Sequence, residues 1–174
     1  MVISCKSAFS NYRKTVIAAH QTSDICLRYY IIHNLYGFTA LLCIGETKEQ
    51  KDYGISAEVL RAQLKIGLHD IPMDRTDKIW IAYEPVWSIG VNGTPASQEY
   101  AESMHKIIRE TLTELFREKA SQIPVLYGGS VNSQNADGLI VQPSIDGLFT
   151  GRAAWDADKF DILIRNAVKA CGKS

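Results

Sequence analysis

Paired cysteines, net charge and long apolar runs are all missing from this chain. Its four cysteines, Cys5, Cys26, Cys43 and Cys171, are scattered through 174 residues. No two of them have the Cys-x-x-Cys spacing of a metal or redox site, and a disulfide framework is not expected in a chain so rich in core-forming residues. Reduced thiols in a cytoplasmic protein are expected instead. Nineteen basic residues balance nineteen acidic ones, so no net field draws nucleic acid or an anionic membrane. No signal peptide is expected, and no apolar run of about 18 residues that could span a bilayer occurs in the sequence. Internal repeats and low-complexity segments are absent as well. What is present is 46% hydrophobic and 22% charged, the balance of an ordinary soluble globular protein. The length suits one domain with a sizeable core.

One stretch organises the rest. Lys78-Ile79-Trp80-Ile81-Ala82-Tyr83 reads as a short buried strand, aromatic and β-branched with a single charge at its start. It delivers the carboxylate of Glu84 to its C-terminal end, where Pro85 stops the ladder by removing a donor. In α/β folds the loops at that end converge on one pocket, so an acid there is a candidate catalytic group. The following loop carries Val86, Trp87 and Ile89 and ends at Gly90. Loops are ordinarily polar, and one with buried-type side chains points to a lid, Pro85 to about Ala96, that closes over something.

The flanking segments supply the frame. Ile25, Tyr29, Ile32 and Tyr36 recur at helical spacing before a C-cap at Gly37, and Phe38 to Gly45 reads as a buried parallel strand. Ser56 is the expected N-cap of a helix with Val59, Leu60, Gln63 and Leu64 on one stripe, closing near Gly67. Ser97 is the expected cap of a second helix, whose apolar stripe is Tyr100, Met104, Ile107, Ile108, Thr111, Leu112 and Leu115, with a structural His105 beside it. Strands are expected at Ile123–Tyr127 and Ile145–Thr150. Between them Gly128-Gly129-Ser130 lets the backbone approach a ligand and adds a hydroxyl. Phe160, Leu163, Ile164 and Ala167 mark the buried face of a closing helix.

Tyr83-Glu84-Pro85-Val86-Trp87-Ser88-Ile89-Gly90 closely resembles the catalytic strand and lid loop of the triosephosphate isomerase family, a general example of a glutamate base paired with a neutral histidine. Cys43-Ile44-Gly45-Glu46-Thr47 resembles its fifth-strand signature, and Tyr127-Gly128-Gly129-Ser130-Val131 its phosphate loop. The resemblance implies an α/β (β/α)8 TIM barrel. A complete one needs ~250 residues, so an incomplete barrel is expected, lacking the first three βα units and holding about strands 4–8. Residues 1–174 would form one partial domain, divergent over 1–23 and isomerase-like over 24–174.

The implied reaction is aldose–ketose isomerisation of dihydroxyacetone phosphate and glyceraldehyde 3-phosphate through an enediolate, with Glu84 as base. Pro85, Val86, Trp87 and Ile89 would form the lid, and Glu46 would order it by hydrogen bonding. Gly90, Ser130, Gly151 and Arg152 would hold the phosphate. At the last of these the family usually has a second glycine, and an arginine resembles paralogues acting on tetrulose (erythrulose) phosphates, an alternative reaction. Lys6 aligns with the family's histidine; His20 nearby is a substitute candidate, though a solvated loop histidine is the expected reading. With that histidine and the first strand's asparagine and lysine missing, activity would be impaired, or the chain would be an inactive remnant. No cofactor and no metal are implied. The expected partner is a small phosphorylated sugar; the family's homodimer loop lies in the third unit, which is not found here.

Overall fold

The computed structural model describes residues 2–3, 16–20, 39–90 and 93–172. Lys6 and the helix expected between Asp24 and Gly37 lie outside the described residues. Six strands, β1 (Val2–Ile3), β2 (Val16–His20), β3 (Thr39–Ile44), β4 (Ile79–Tyr83), β5 (Val125–Tyr127) and β6 (Gly147–Phe149), form one sheet. Their order is β1-β6-β5-β4-β3-β2. Every pairing from β2 to β6 is parallel, and only β1 runs antiparallel, on β6.

Parallel neighbours need crossover connections, which are usually helical. Here α1 (Lys48–Asp52) and α2 (Ser56–Gly67) join β3 to β4. The longest, α3 (Gln98–Phe116), joins β4 to β5, α4 (Ala136–Ile140) joins β5 to β6, and α5 (Ala157–Cys171) follows β6. The chain is thus α/β with a parallel sheet, and its strand ends bring residues 84–90, 128–135 and 150–156 to one edge.

Strand side chains alternate between two buried faces, as the pleat requires. Leu42, Ile44, Ile79, Ile81, Tyr83, Val125, Tyr127 and Leu148 join the main core beneath the helices. Leu41, Cys43, Trp80, Ala82 and Leu126 form a second cluster on the opposite face, with Phe149 against it. Burial on both faces explains why β3 and β4 read as unbroken apolar runs. Leu112 of α3 is fully buried in the main core. Truncating it to alanine removes packing that a close-packed interior cannot refill, and Leu112→Ala is expected to cost about 2–5 kcal/mol in urea unfolding.

Three local expectations need correction. Ser56 is the first residue of α2 and not its cap; the cap position is Ile55, and the Ser56 hydroxyl lies 2.9 Å from that of Tyr100. The buried face of α3 keeps Ile108, Thr111 and Leu112 of the expected stripe, with Tyr100, Met104 and Leu115 packed half-buried against the core, and adds Ala101, Glu102, His105 and Phe116. His105 is therefore central, wedged between the Tyr83 and Tyr127 rings at centroid distances of 5.7 and 6.1 Å. Edge-on aromatic packing of this kind adds to area burial, and it makes an imidazole as good a filler as the aliphatics beside it. Cys171, expected reduced, is disulfide-bonded, because separation along the chain says nothing about proximity in the fold. Cys43 is a free buried thiol. Ser97, by contrast, caps α3 as expected, its hydroxyl accepting from the Tyr100 amide. Among the described residues no helix is long and apolar enough to cross a membrane, and no cluster of His, Cys, Asp and Glu could hold a metal.

Candidate active site

Glu84 is held in place by its backbone and by two glycines. Its amide continues the β3–β4 ladder by donating to the Ile44 carbonyl at 2.7 Å. Gly45, at the end of β3, passes so close that any Cβ there would run into the Glu84 carbonyl. The Gln63 side chain bonds both the amide and the carbonyl of Gly45, at 2.8 and 3.0 Å, and so pins the strand end. On the other side Gly128 donates to the Tyr83 carbonyl at 2.8 Å, and a Cβ on Gly128 would stand 2.6 Å from Glu84 Cγ. Absence of side chains on both flanks leaves the carboxylate a narrow slot, half-buried, at the sheet's C-terminal edge. The Cys43 thiol faces it. Burial first, then the Glu84 charge and a hydrogen bond to it, push the thiol well above its ordinary pKa. Cys43 is therefore a neutral neighbour and not a nucleophile.

The root of the loop after Glu84 is tied to Glu46. This buried carboxylate accepts from the Tyr83 hydroxyl at 3.0 Å, the Trp87 indole at 2.8 Å and the Tyr100 hydroxyl at 2.9 Å. Its own carbonyl accepts from the Val86 amide at 2.9 Å. Burial, with the Glu46 charge next, drives the Tyr83 phenol far above its usual range. Burial and Glu46 likewise push Tyr100 up to about 12. Both hydroxyls thus remain donors at any physiological pH. The Lys51 ammonium sits 3.9 Å from the centroid of the Trp87 ring, a cation–π contact that covers the indole's outer face.

Beyond that root the chain reaches the ligand-sized space. A cavity of about 440 Å³ is lined by Glu84, Ile89 and Gly90, by Gly128 to Asn132, and by Thr150 to Ala153. Its volume fits a small molecule. Glu84 contributes a carboxylate residue to this lining, and Ser130, Gly151 and Arg152 make up the part of it termed the rim. Asn135 shapes that rim, donating to the Ser130 carbonyl at 2.9 Å and accepting from the Asn132 amide at 2.8 Å. The Ser130 amide donates to the Ser88 hydroxyl at 3.2 Å, and Arg152 donates to the Gly90 carbonyl.

A carboxylate sharing a cavity with glycine-bearing loops at the end of a parallel sheet narrows the choice of family, and comparison decides it. The family model described as triosephosphate isomerase matches residues 17–167. The chain belongs to the triosephosphate isomerase family. It is 46% identical over 132 residues to an L-erythrulose-1-phosphate isomerase of Rhizobium etli, covering 75% of this chain and 48% of that protein. A protein of the same name in Rhizobium meliloti is 46% identical over 134 residues, 76% of this chain and 51% of the relative. A triosephosphate isomerase of Lawsonia intracellularis is 42% identical over 129 residues, 74% of this chain and 51% of the relative. The chain spans about half the length of these curated relatives.

Within this family member, Glu84, Ile89, Gly90, Ser130, Gly151 and Arg152 meet around one cavity. Pro85, Val86 and Trp87 stand back from it, at the loop's root. Lys6 is outside the described residues and outside the matched range. The match does take in His20, which is the last residue of β2, in register with Cys43. His20 thus belongs to a strand end and not to a loop; the apolar run Val16-Ile17-Ala18-Ala19 was the signal for that strand. Gln63, Ser88 and Asn135 escaped sequence reading. Isolated polar residues on helices and loops carry no pattern that marks them as partners of a distant backbone.

Proposed function

We propose that this chain carries the proton-transfer site of an aldose–ketose isomerase for a short phosphorylated sugar. The reaction would interconvert dihydroxyacetone phosphate and glyceraldehyde 3-phosphate. The observation behind this reading is the convergence of Glu84 and the Ser130–Gly151–Arg152 rim on one cavity. Its family membership supports the reading too. Glu84 would take a proton from the carbon beside the carbonyl, leaving an enediolate, and return it to the former carbonyl carbon. A second proton passes between the two oxygens, so the change is internal and consumes no oxidant. Loop closure would expel water, raise the basicity of the carboxylate and shield the intermediate.

Two further assignments accompany this. The sheet from β2 to β6 is read as an arc of a (β/α)8 barrel, about strands four to eight, with residues 85–96 as the lid. His20, the last residue of β2 and in register with Cys43, is proposed beside Lys6 as a candidate for polarising the substrate carbonyl. A neutral imidazole both donates to a carbonyl and relays protons, whereas an ammonium is a compact charge suited only to the first task.

Isomerisation of a tetrulose phosphate is supported as strongly. Two of the relatives above are named L-erythrulose-1-phosphate isomerase, and Arg152 stands where the resemblance leads one to expect glycine. Purified chain assayed side by side on dihydroxyacetone phosphate and L-erythrulose 1-phosphate decides between them. The higher kcat/KM identifies the substrate, and absence of turnover on both overturns the proposal.

A further inference from the structure

Gly45 is the first residue past the end of β3, whose register with β2 ends at Cys43 and with β4 at Ile44. Its backbone runs against that of Glu84, since a Cβ built on it would stand 1.9 Å from the Glu84 carbonyl oxygen. Any shift of Gly45 toward β4 therefore displaces the residue that carries the carboxylate. The side chain of Gln63, on α2, meets Gly45 at this point. Its Oε1 accepts from the Gly45 amide at 2.8 Å, and its Nε2 donates to the Gly45 carbonyl at 3.0 Å. A primary amide carries an acceptor and two donors side by side. Gln63 thus gives Gly45 the donor–acceptor pair that the peptide of a neighbouring strand would give.

Packing sets the distance from which Gln63 reaches. Leu60 and Leu64, three residues before it and one after, are fully buried. Near the end of the same helix, Gly67 lies so close to β3 that a Cβ would stand 2.8 Å from Leu42 Cδ2. Helix and strand are therefore spaced by the core, and the Gln63 amide turns that spacing into a fixed place for Gly45. The side-chain chemistry required is narrow. Ionised glutamate keeps the acceptor but has no donor for the Gly45 carbonyl, and methionine keeps the length but has no N–H and only a weak acceptor.

We propose that Gln63 is a positioning residue for the base: its amide clamps Gly45 and, through that backbone contact, sets where the Glu84 carboxylate stands. The inference rests on the reading of Glu84 as the base. It gives α2, which contributes nothing to the cavity lining, a part in the chemistry.

The probe is the Cys43 thiol, which is free and hydrogen-bonded to Glu84. Such a bond weakens S–H and lowers its infrared stretching frequency. The band, isolated by subtracting the spectrum of Cys43→Ala, reports the carboxylate's position with no need of turnover. Gln63→Met is expected to shift that band and to lower kcat about tenfold to a hundredfold with KM little changed, the effect of misplacing a base by on the order of 1 Å. Gln63→Glu keeps one of the two bonds and should give a smaller shift in the same experiment; it decides the matter should Gln63→Met fail to fold. Leu60→Ala is the control. It opens a cavity beneath α2 and should lower the urea midpoint, yet leave the band and kcat near their unmodified values. The clamp is overturned if neither Gln63 variant moves the band, or if Leu60→Ala moves it as far as Gln63→Met does. Absence of turnover in the unmodified chain overturns the isomerase reading alone, and the band then decides the clamp by itself.

Discussion

Glu84→Gln is expected to lower kcat for isomerisation by two to four orders of magnitude, the usual contribution of a positioned general base. The substitution keeps the side chain's size, so the Gly45 and Gly128 walls around it need not move. An amide cannot accept the carbon-bound proton. KM should change little, because the residues proposed to hold the phosphate are Ser130, Gly151 and Arg152 and not Glu84. Exchange of solvent deuterium into the substrate's reacting carbon should fall in parallel with kcat. Glu84→Asp retains the chemistry but retracts the carboxylate by one methylene; misplacement on the order of 1 Å can cost about a hundredfold. A glutamine variant that keeps a tenth or more of kcat would show that another group takes the proton. Cys43 is not that group: losing Glu84 removes two of the three causes that raise its pKa, but burial, the largest, remains.

Gly45→Ala should be among the most destabilising single substitutions in the chain. Its Cβ would collide with the backbone of Glu84 and not with a flexible side-chain tip. The β3–β4 ladder cannot part there without breaking the Glu84-to-Ile44 bond and displacing the base. Overpacking against side chains costs about 1–3 kcal/mol, and a fixed backbone should place this case at or above the upper end. Gly151→Ala provides the comparison, since nothing lies within 4 Å of its Cβ and only its backbone, at φ −100° and ψ −98°, disfavours a side chain. Urea unfolding should show a larger loss of midpoint for Gly45→Ala than for Gly151→Ala. Equal midpoints would mean that β3 and β4 can separate at their C-terminal ends without penalty.

The contrast between these positions also explains what could be read in advance. Strands β3 and β4 are legible because burial on both faces demands continuous apolar runs, and the punctuation that follows them, Gly45-Glu46 and Glu84-Pro85, marks where the ladder stops. Gly128-Gly129-Ser130 and Gly151 also follow short apolar strands, but it was their resemblance to the family's loops that singled them out as a rim. Helix α1 was passed over although Thr47 and Gln50 form a capping box, a three-residue spacing that identifies a helix start. The α3 stripe was displaced because His105 and Glu102 were weighed by polarity; their burial depends on Tyr83, Tyr127 and Ser144, which come from distant elements. Arg152 was recognisable as a departure from glycine, but its contact with Gly90 required two loops to be placed in space. His20 needed its strand before it could be seen as more than a surface residue.

One carboxylate at the loop's root has a consequence for timing. Glu46 fixes Val86 and Trp87 through a main-chain and a side-chain bond, while Tyr83 and Tyr100 hold Glu46 itself. Each residue that must be ordered on closure loses about 1–2 kcal/mol of backbone entropy. A hinge already ordered at its root leaves that cost to a few tip residues. On the proposed reading the loop would then swing as a short lever, shut by a small phosphorylated ligand and quick to reopen once that charge had left.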